Sequence, residues 1–298
     1  MLSFQQLIIL KVNLSKISIG TAQFGLNYGI TNQRGKVKLK EIEKILQYAQ
    51  RNNIFKIDTA YAYGNAEKIL GNFNLKSWKV SSKFPSIPKK QDAKRWIFSK
   101  VYKSLKNLNI KNLETLYVHD TKQLYNQKII KEISNALEEL KRNKVIKKIG
   151  VSVYEPKEIY KLNKIINFDI VQAPFNILDK RVSNNKIDEF LKKDKIQLEL
   201  RSIFLQGLLL INENNVPKKF HEWKKFFQKL GEIKKKKNLT MLEIALSALR
   251  NIEFKNVVFG VLTQNELREI IKNIPNSKIN LPNFNFKNKK KLINPHEW

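Results

Sequence analysis

The sequence contains no cysteine among its 298 residues. This absence excludes disulfides, thiolate catalysis and zinc sites with cysteine ligands. Histidine is nearly as scarce, since only His119, His221 and His296 occur, and only His119 lies in an apolar, strand-like segment. A zinc centre built from several histidines is therefore not expected, and we predict no metal site.

A stretch long and apolar enough to span a membrane is also lacking. The apolar run at 7–10 covers four residues, whereas a bilayer needs about 18. The same run has neither the basic n-region nor the small-residue cleavage site of a secretory signal. We therefore expect no membrane partner and a cytoplasmic location.

Acidic residues are few compared with basic ones: 26 Asp and Glu stand against 57 Lys and Arg, which gives a net charge of +31. Such a charge is typical of nucleic-acid-binding proteins. However, only eight of the basic residues are Arg, and base readout and phosphate recognition favour Arg. The lysines are scattered over polar helical faces and are densest at 234–237 and 287–291. We interpret them as a solvated surface and expect no specific nucleic-acid partner; nucleic-acid binding stays an alternative.

Short runs rich in β-branched and aromatic residues alternate with longer amphipathic stretches. We predict eight buried strands, at 16–19, 54–57, 78–82, 113–118, 146–151, 168–172, 196–200 and 256–259. Helices are predicted at 40–49, 128–140, 241–249 and 266–274, and a further helix begins at Pro156. This alternation of strand and helix indicates an α/β protein with a parallel sheet.

Eight strand–helix units in about 250 residues favour a closed (β/α)8 TIM barrel. The structural alternative is a doubly wound open sheet, which would carry a glycine fingerprint after its first strand. The segment Gly20-Thr-Ala-Gln-Phe-Gly25 is neither a GxGxxG motif nor a P-loop. Because no Gly-, Ser- or Pro-rich linker divides the sequence, we expect one domain over 1–298 with its core at about 15–274. Residues 1–14 are expected to form a hairpin or cap, and those after 274 a short C-terminal tail.

In a TIM barrel the carboxyl ends of all strands open onto one mouth, where catalytic groups gather. The residues at or just after the predicted strands are nearly all polar: Asp58, Lys83, His119, Ser152, Gln172, Asn176, Arg201, Ser202 and Gly260. A simpler explanation for any one of them is that strand ends meet water. Asp58, which precedes Thr59, is also compatible with a cap.

Lys83 is the least expected of these residues, because burial of an unpaired ammonium is costly. Asp58 is its predicted partner, since the second and third strands are neighbours in a barrel. Tyr63 is expected on the loop above this pair, where the ammonium would lower the pKa of its phenol toward neutrality. Such a phenol can exchange a proton with a carbonyl/alcohol couple. The alternative for either Tyr63 or Tyr61 is a packing role.

These residues resemble the aldo-keto reductase superfamily over most of the chain, from Gly20 to about Ile270. The most specific match is Asp58-Thr-Ala-x-x-Tyr63-Gly64-x-x-Glu67, followed by Leu70-Gly71. Lys83 and His119 follow in order and at suitable spacing. Ile149-Gly-Val-Ser152 is similar to the strand-five motif of the family, and Gln172-Ala-Pro-Phe-Asn176 to its strand-six motif.

The resemblance implies a TIM barrel that binds NADP or NAD without a Rossmann fold. Hydride would pass between nicotinamide C4 and the carbonyl carbon of an aldehyde, ketone or sugar-like substrate. The implied catalytic residues are Asp58, Tyr63, Lys83 and His119. Tyr63 would protonate the developing alkoxide, Lys83 held by Asp58 would lower the pKa of Tyr63, and His119 would orient the carbonyl. The cofactor performs the redox step, and the protein supplies position and the proton.

The resemblance also implies a set of cofactor-binding residues: Gly20, Thr21, Asp58, Ser152, Gln172, Arg201, Gly260, Thr263 and Glu266. Ser152 and Gln172 would hold the carboxamide, with Asn176 as a further candidate. Two positions depart from the family pattern nearby. Val153 replaces a common Asn, and Arg201 replaces an aromatic that stacks on the nicotinamide. A guanidinium can stack on the ring, although its charge disfavours the oxidised cofactor.

Glu266 is a third departure, because many members place a basic residue there for the 2′-phosphate of NADP. A carboxylate repels phosphate and suits a ribose hydroxyl, whereas Arg268 nearby would favour phosphate. The family at large thus predicts NADP(H) and the local chemistry NAD(H), so the preference stays open.

The substrate is predicted only by class, as a small carbonyl or alcohol compound such as a sugar. Residues 182–185 and 208–222 are expected to form much of the rim. In the tail, Phe284, Phe286 and Trp298 are expected to pack rather than to bind substrate. The functional alternative is a regulatory protein that binds the cofactor on the same barrel without catalysis. The presence of all four catalytic residues argues against it, and the oligomeric state is not predicted.

Overall fold

The computed structural model describes residues 13–274, 281–282 and 284–298. Within these residues, eight parallel strands close into one barrel in sequence order. The strands are β1 (Ile17–Gly20), β2 (Lys56–Asp58), β3 (Lys79–Phe84), β4 (Leu113–Val118), β5 (Ile146–Ser152), β6 (Ile170–Pro174), β7 (Gln197–Arg201) and β8 (Asn256–Gly260). The TIM barrel prediction is confirmed, and each strand lies within two residues of its predicted bounds. The predicted cap falls almost entirely on residues 1–12, outside the described part.

Parallel pairing fixes which side chains share a level of the barrel. β8 closes onto β1 with Gly20 opposite Gly260, and β1 continues onto β2 with Gly20 opposite Asp58. On the other side of the barrel, Ser152 lies opposite Gln172. Because side chains alternate along a strand, residues opposite one another point to the same face. The ends of the strands therefore bring their polar residues to one mouth.

Eleven α-helices surround or follow the strands in the described residues. They are α1 (Ala22–Gly25), α2 (Leu39–Arg51), α3 (Ala66–Leu70), α4 (Ala93–Leu108), α5 (Ile130–Arg142), α6 (Glu158–Leu162), α7 (Asn185–Lys193), α8 (Lys224–Lys237), α9 (Met241–Leu246), α10 (Gln264–Asn273) and α11 (Lys289–Ile293). In the ranges that the structure describes, none is long and apolar enough to cross a membrane.

The helix predictions hold for five elements with shifted ends. α10 begins two residues before its predicted start, because Thr263 caps it through its side chain. α9 is shorter than predicted, since the chain tightens into a 3-10 turn at Ser247–Asn251. The helices α1, α3, α4, α7, α8 and α11 were not predicted. α4 begins after Asp92, whose carboxylate accepts a hydrogen bond of 2.7 Å from the backbone N–H of Arg95.

Two apolar clusters hold the fold together. The first fills the space between the strands and the surrounding helices. The second joins the 3-10 turns at Leu205–Leu210 and Lys218–Trp223 to α8 and the C-terminal tail. Phe284 is buried there, while Phe286 and Trp298 pack against its edge. The tail is thus packed, as predicted, and with the β7–β8 connection it forms one side of the barrel mouth.

Candidate active site

A cleft of about 460 Å³ opens at the carboxyl ends of the strands, a size typical of small-molecule sites. All four predicted catalytic residues line it, together with most of the predicted cofactor residues. The predicted residues in its lining are Gly20, Thr21, Asp58, Tyr63, Lys83, His119, Ser152, Gln172, Arg201, Gly260 and Glu266. The described residues contain no group of three or more His, Asp and Glu side chains that could hold a metal ion.

Lys83 and Asp58 form a buried ion pair at the floor of this cleft. The ammonium lies 2.7 Å from both carboxylate oxygens of Asp58 and donates to the carbonyl oxygen of Thr59 at 2.9 Å. The Lys83 side chain is only 1% exposed. Burial alone would lower the pKa of Lys83, but the Asp58 carboxylate, together with Tyr63 and Glu199, outweighs burial and raises the pKa. The ammonium therefore stays charged.

Tyr63 lies on the loop after β2, directly beside that ammonium. Its phenol oxygen is 3.4 Å from Lys83 Nζ, and its ring meets the imidazole of His119 edge to face, with centroids 6.0 Å apart. The expected fall in the pKa of Tyr63 is wrong for the protein without ligand. Burial of the phenol raises its pKa and outweighs the lowering influence of Lys83. At neutral pH Tyr63 is thus a protonated donor.

Two glycines allow the Tyr63 loop to sit against the loop after β1. A Cβ at Gly25 would collide with the carbonyl oxygen of Tyr63 and approach the backbone of Ala66. Gly64 has a φ of +58°, which favours glycine, and a Cβ there would meet the carbonyl of Gly25. Thr21 joins the same two segments, since its buried hydroxyl donates to the Asp58 carbonyl at 3.0 Å. The backbone fixes where the phenol points.

Polar side chains from β5, β6, β7 and β8 form one row inside the barrel, below the mouth. Ser152, Gln172, Glu199 and Asn256 lie opposite one another in register. The Ser152 hydroxyl donates to Gln172 Oε1 at 3.4 Å. Gln172 Nε2 donates to Glu199 Oε1 at 2.7 Å and to Asp58 Oδ1 at 2.8 Å. Asn256 Nδ2 donates to Glu199 Oε2 at 3.0 Å.

Glu199, like Asn256, is a residue of this row that was not predicted to belong to the site, and Glu199 is the one that contacts Gln172. Its side chain is 2% exposed, and its Oε1 also accepts from the phenol of Tyr117 at 2.8 Å. Burial and the charge of Asp58 raise the pKa of Glu199, whereas the hydrogen bonds that it accepts lower it. Glu199 and Asp58 thus converge on the two N–H groups of Gln172.

Arg201 occupies the mouth at the end of β7, two residues beyond Glu199. One guanidinium nitrogen donates to the carbonyl oxygen of Val153 at 2.9 Å, and another donates to the Ser202 hydroxyl at 3.1 Å. The guanidinium lies over the ring of Tyr154, 4.5 Å from its centroid. Val153 itself is buried in the core. Residue 153 therefore offers the site no polar side chain, and its backbone carbonyl oxygen binds Arg201.

The N-terminus of α10 is occupied by carboxylates. Thr263 caps the helix by accepting from the N–H of Glu266 at 3.1 Å. Glu266 in turn accepts from the N–H of Leu262 at 2.7 Å. Glu41 of α2 accepts from the N–H of Gln264 at 2.8 Å. A helix N-terminus attracts anions, but here the Glu41 carboxylate and the Thr263 hydroxyl already bind two of its donors, and the Glu266 carboxylate binds the N–H of Leu262 just before the helix.

The sequence profile of the Aldo/keto reductase family matches residues 16–289. The chain belongs to this family. Membership makes it an oxidoreductase of the aldo-keto reductase class, whose members generally use NAD(P)H. The family resemblance drawn from the motifs is thereby confirmed. No curated protein sequence matches the chain.

Solved aldo-keto reductases share the fold at low sequence identity. An aldo-keto reductase from Bacillus halodurans, solved in its holo form, superposes with a TM-score of 0.69 at 16% identity, covering 93% of this chain and 90% of that one. A thermostable aldo-keto reductase solved with the inhibitor epalrestat gives 0.64 at 21% identity, covering 94% of each chain. The glycerol dehydrogenase of Gluconobacter oxydans gives 0.66 at 17% identity, covering 97% and 93%.

Two residues predicted for the site of this aldo-keto reductase serve the backbone instead. Asn176 is completely buried beside the mouth; its Oδ1 accepts from the N–H groups of Leu178 and Asp179, and its Nδ2 donates to the Ser202 carbonyl. It does not line the cleft. Thr263 is the cap of α10 and is also not in the lining.

The rim of the cleft differs from the prediction in which loops supply it. Tyr28, Asn32, Gln206 and Gly207 line it, although none was predicted there. From the predicted stretch at 208–222 only Leu210 reaches the cleft, and residues 182–185 do not line it. Pro295 reaches it from the tail. The rim residues between β1 and α2 were not predicted because they carry no motif. The length of this connection was the feature of the sequence that could have indicated them.

Proposed function

We propose that the chain is an NAD(P)-dependent carbonyl reductase in which Tyr63 is the general acid and base. The observation that carries this proposal is the approach of the Tyr63 phenol to Lys83 Nζ, 3.4 Å away, while Asp58 holds the same ammonium at 2.7 Å. The group lies in a cleft with His119 at its wall. A protonated phenol beside a charged ammonium is suited to give up its proton to an alkoxide.

Each catalytic side chain has a separate task in this proposal. Tyr63 donates its proton to the oxygen of the reacting carbonyl as negative charge develops there. Lys83 stabilises the phenolate that remains, because an adjacent ammonium favours the charged form. Asp58 keeps the ammonium in place, and His119 orients the carbonyl from the other side of the Tyr63 ring. In the reverse direction the phenolate accepts the proton of an alcohol.

The residues beside Tyr63 fit a nicotinamide carboxamide. Ser152 offers a hydroxyl, and Gln172 offers its Oε1 because both of its N–H groups are engaged by Asp58 and Glu199. Arg201, already stacked on Tyr154, presents a planar face at the mouth. When bound, the nicotinamide supplies or accepts the hydride. Ser152, Gln172 and Arg201 hold it in position and leave the proton chemistry to Tyr63.

We propose a preference for NAD(H) over NADP(H). Glu266 lines the cleft, and it lies at the N-terminus of α10, where the family resemblance places the adenosine phosphate. Glu41 accepts a hydrogen bond from the N–H group of Gln264 nearby, so two carboxylates lie at this end of the helix. Their negative charges would repel the 2′-phosphate of NADP(H). Arg268 on the same helix is directed elsewhere: its guanidinium lies 5.7 Å from the ring centroid of Tyr48.

The lining of the mouth favours a polar, hydroxylated substrate. Tyr28 and Tyr154 line it together with Tyr63, and both are partly exposed. Tyrosines combine a flat apolar face with a hydroxyl that hydrogen-bonds, and Asn32 and Gln206 add amides. A sugar-like carbonyl compound presents the matching surface, apolar C–H faces with hydroxyls at their edges.

The test is turnover with NADH and NADPH on a panel of aldehydes, ketones and sugars. The proposal expects consumption of the reduced cofactor with at least one compound, faster with NADH than with NADPH. Tight cofactor binding without turnover on any compound would favour the regulatory alternative. A chain that binds neither cofactor would contradict the proposal. Binding of DNA or RNA that survives physiological ionic strength would favour the nucleic-acid alternative.

A further inference from the structure

We propose that Glu199 is a positioning residue that, with Asp58, engages both amide N–H groups of Gln172 and so leaves Gln172 able only to accept a hydrogen bond from the ligand. The inference rests on the proposed function, because the ligand concerned is the carboxamide of a nicotinamide. It assigns Glu199 a part in recognition although Glu199 does not itself line the cleft.

The hydrogen bonds of Gln172 determine which end of its amide is available. Nε2 carries two hydrogens, and its two partners, Glu199 Oε1 at 2.7 Å and Asp58 Oδ1 at 2.8 Å, are carboxylate oxygens that only accept. A flipped amide would point its oxygen at both carboxylates, which is repulsive. Gln172 therefore keeps Oε1 for the cleft, where this oxygen accepts from the hydroxyl of Ser152 and has a second lone pair for the ligand.

The other neighbours of Glu199 keep it an acceptor. Tyr117 donates its phenol proton to Oε1. Asn256 donates Nδ2 to Oε2, and its orientation is set from the far side because its Oδ1 accepts from the ammonium of Lys56 at 2.6 Å. Three donors thus converge on one buried carboxylate, and these hydrogen bonds oppose the rise in the pKa of Glu199 that burial and Asp58 cause.

The consequence for recognition is a requirement for N–H groups on the ligand. A carboxamide donates to Gln172 Oε1, whereas an acetyl group of the same shape cannot. With the acetyl group, Gln172 Oε1 is buried without a hydrogen bond from the ligand. We therefore expect the carboxamide ligand to bind about tenfold more tightly than the acetyl ligand. The probes are NADH and the reduced 3-acetylpyridine analogue of NADH, which differ only in this group. Both affinities are measured at equilibrium, without substrate, by tryptophan fluorescence.

The decisive variant is Glu199→Leu, which removes both acceptor oxygens. One N–H of Gln172 is then free to turn toward the cleft, and the preference for NADH is expected to fall from about tenfold to within about twofold. Glu199→Gln keeps an oxygen for Gln172 and is expected to retain most of the preference. Tyr117→Phe is the matched control: it removes another donor to the same oxygen but leaves Gln172 untouched, and it should retain the preference.

The outcomes separate this inference from the proposed function. A folded Glu199→Leu protein with the wild-type preference, or an equal loss in Tyr117→Phe, overturns the role of Glu199. A wild-type protein that binds both probes equally overturns it as well and leaves the proposed function intact, whereas one that binds neither overturns both. If Glu199→Leu does not fold, Glu199→Asp takes its place, since a shorter carboxylate withdraws from Gln172 and should lower the preference in the same direction.

Discussion

The phenol oxygen of Tyr63 lies 3.4 Å from Lys83 Nζ, at the upper limit of a hydrogen bond. The ammonium already has three closer contacts, to both oxygens of Asp58 and to the carbonyl of Thr59. Lys83 is thus bound mainly by Asp58, and its contact with Tyr63 is longer. Burial raises the pKa of Tyr63. A phenol in this position keeps its proton until negative charge develops beside it.

Tyr63→Phe should therefore abolish proton transfer while keeping the ring. We expect the rate of carbonyl reduction to fall by about a thousandfold, the range in which general acid catalysis contributes, with NADH affinity nearly unchanged. Single-turnover kinetics and a fluorescence titration measure the two effects separately. Tyr61→Phe is the matched control, since Tyr61 contacts Lys100 rather than Lys83. Near-normal turnover in Tyr63→Phe would assign the acid to another residue.

Lys83→Met should impair both catalysis and folding. Without the ammonium, the pKa of Tyr63 loses its principal lowering influence and rises further. Alcohol oxidation needs the phenolate, so its pH–rate profile should move to higher pH. Leaving Asp58 buried without its partner should lower the free energy of unfolding by about 3–5 kcal/mol. Urea unfolding and pH–rate profiles check both effects, with Lys68→Met at an exposed position of α3 as the control. An unchanged pH–rate profile would refute the coupling of Lys83 to Tyr63.

The Asp58–Lys83 pair could be predicted because it depends on strand order alone. Consecutive strands are neighbours in a parallel barrel, so residues at the ends of β2 and β3 must approach each other. A charged residue that closes an apolar strand needs a partner, and Asp58 was the acidic group at hand. Ser152 and Gln172 were expected to act together only through the family resemblance, and the register of β5 and β6 brings them opposite each other.

Glu199 escaped prediction because its role depends on register within a strand. In the segment around it, apolar residues alternate with Gln197 and Glu199, and the alternation does not show whether the polar face points into the barrel or toward the helices. Register places Glu199 beside Gln172 and Asn256, which makes an isolated carboxylate part of a row. Glu199 lies two residues before Arg201, and residues two apart share a face of a strand. This spacing was the feature of the sequence that could have placed Glu199 in the site.

The N-terminus of α10 shows a similar limit at longer range. The sequence indicated that Glu266 opposes a phosphate, but Glu41, which doubles this effect, lies in α2, far away along the chain.

Helices that carry many lysines were also missed. In α8, long runs of Lys hide the apolar positions Phe226, Phe227 and Leu230 that bury it.

Glu266→Arg should shift the cofactor preference toward NADP(H). The substitution replaces a repelling carboxylate with a guanidinium that can bind phosphate in a bidentate manner. We expect the ratio of NADPH to NADH affinity to rise by about ten- to a hundredfold, because hydrogen bonds to charged groups contribute about 1.5–3 kcal/mol. Glu269→Arg is the control, as it makes the same charge change on α10 outside the cleft lining. An equal shift in both variants would indicate a general charge effect.

Lys56→Met should change how stability depends on pH. Burial, with repulsion from Lys79 and Lys255, lowers the pKa of Lys56 to about 8 from its ordinary 10.5. Between these values the unfolded chain binds more protons than the folded one, so the wild type gains stability as pH rises, and the Met variant lacks this gain.

Relative to the variant, the wild type should gain on the order of 1 kcal/mol between pH 8 and 10, a value reduced because Lys56 is only half-buried and solvent screens its charge. Urea unfolding of both proteins at pH 7 and pH 10 measures the gain, and effects of the other lysines cancel in the comparison. Lys255→Met should lessen the gain by removing one of the repelling charges, whereas Lys229→Met, on the exposed face of α8, should leave it unchanged. A pH-independent difference between wild type and Lys56→Met would show that the folded protein does not lower the pKa of Lys56.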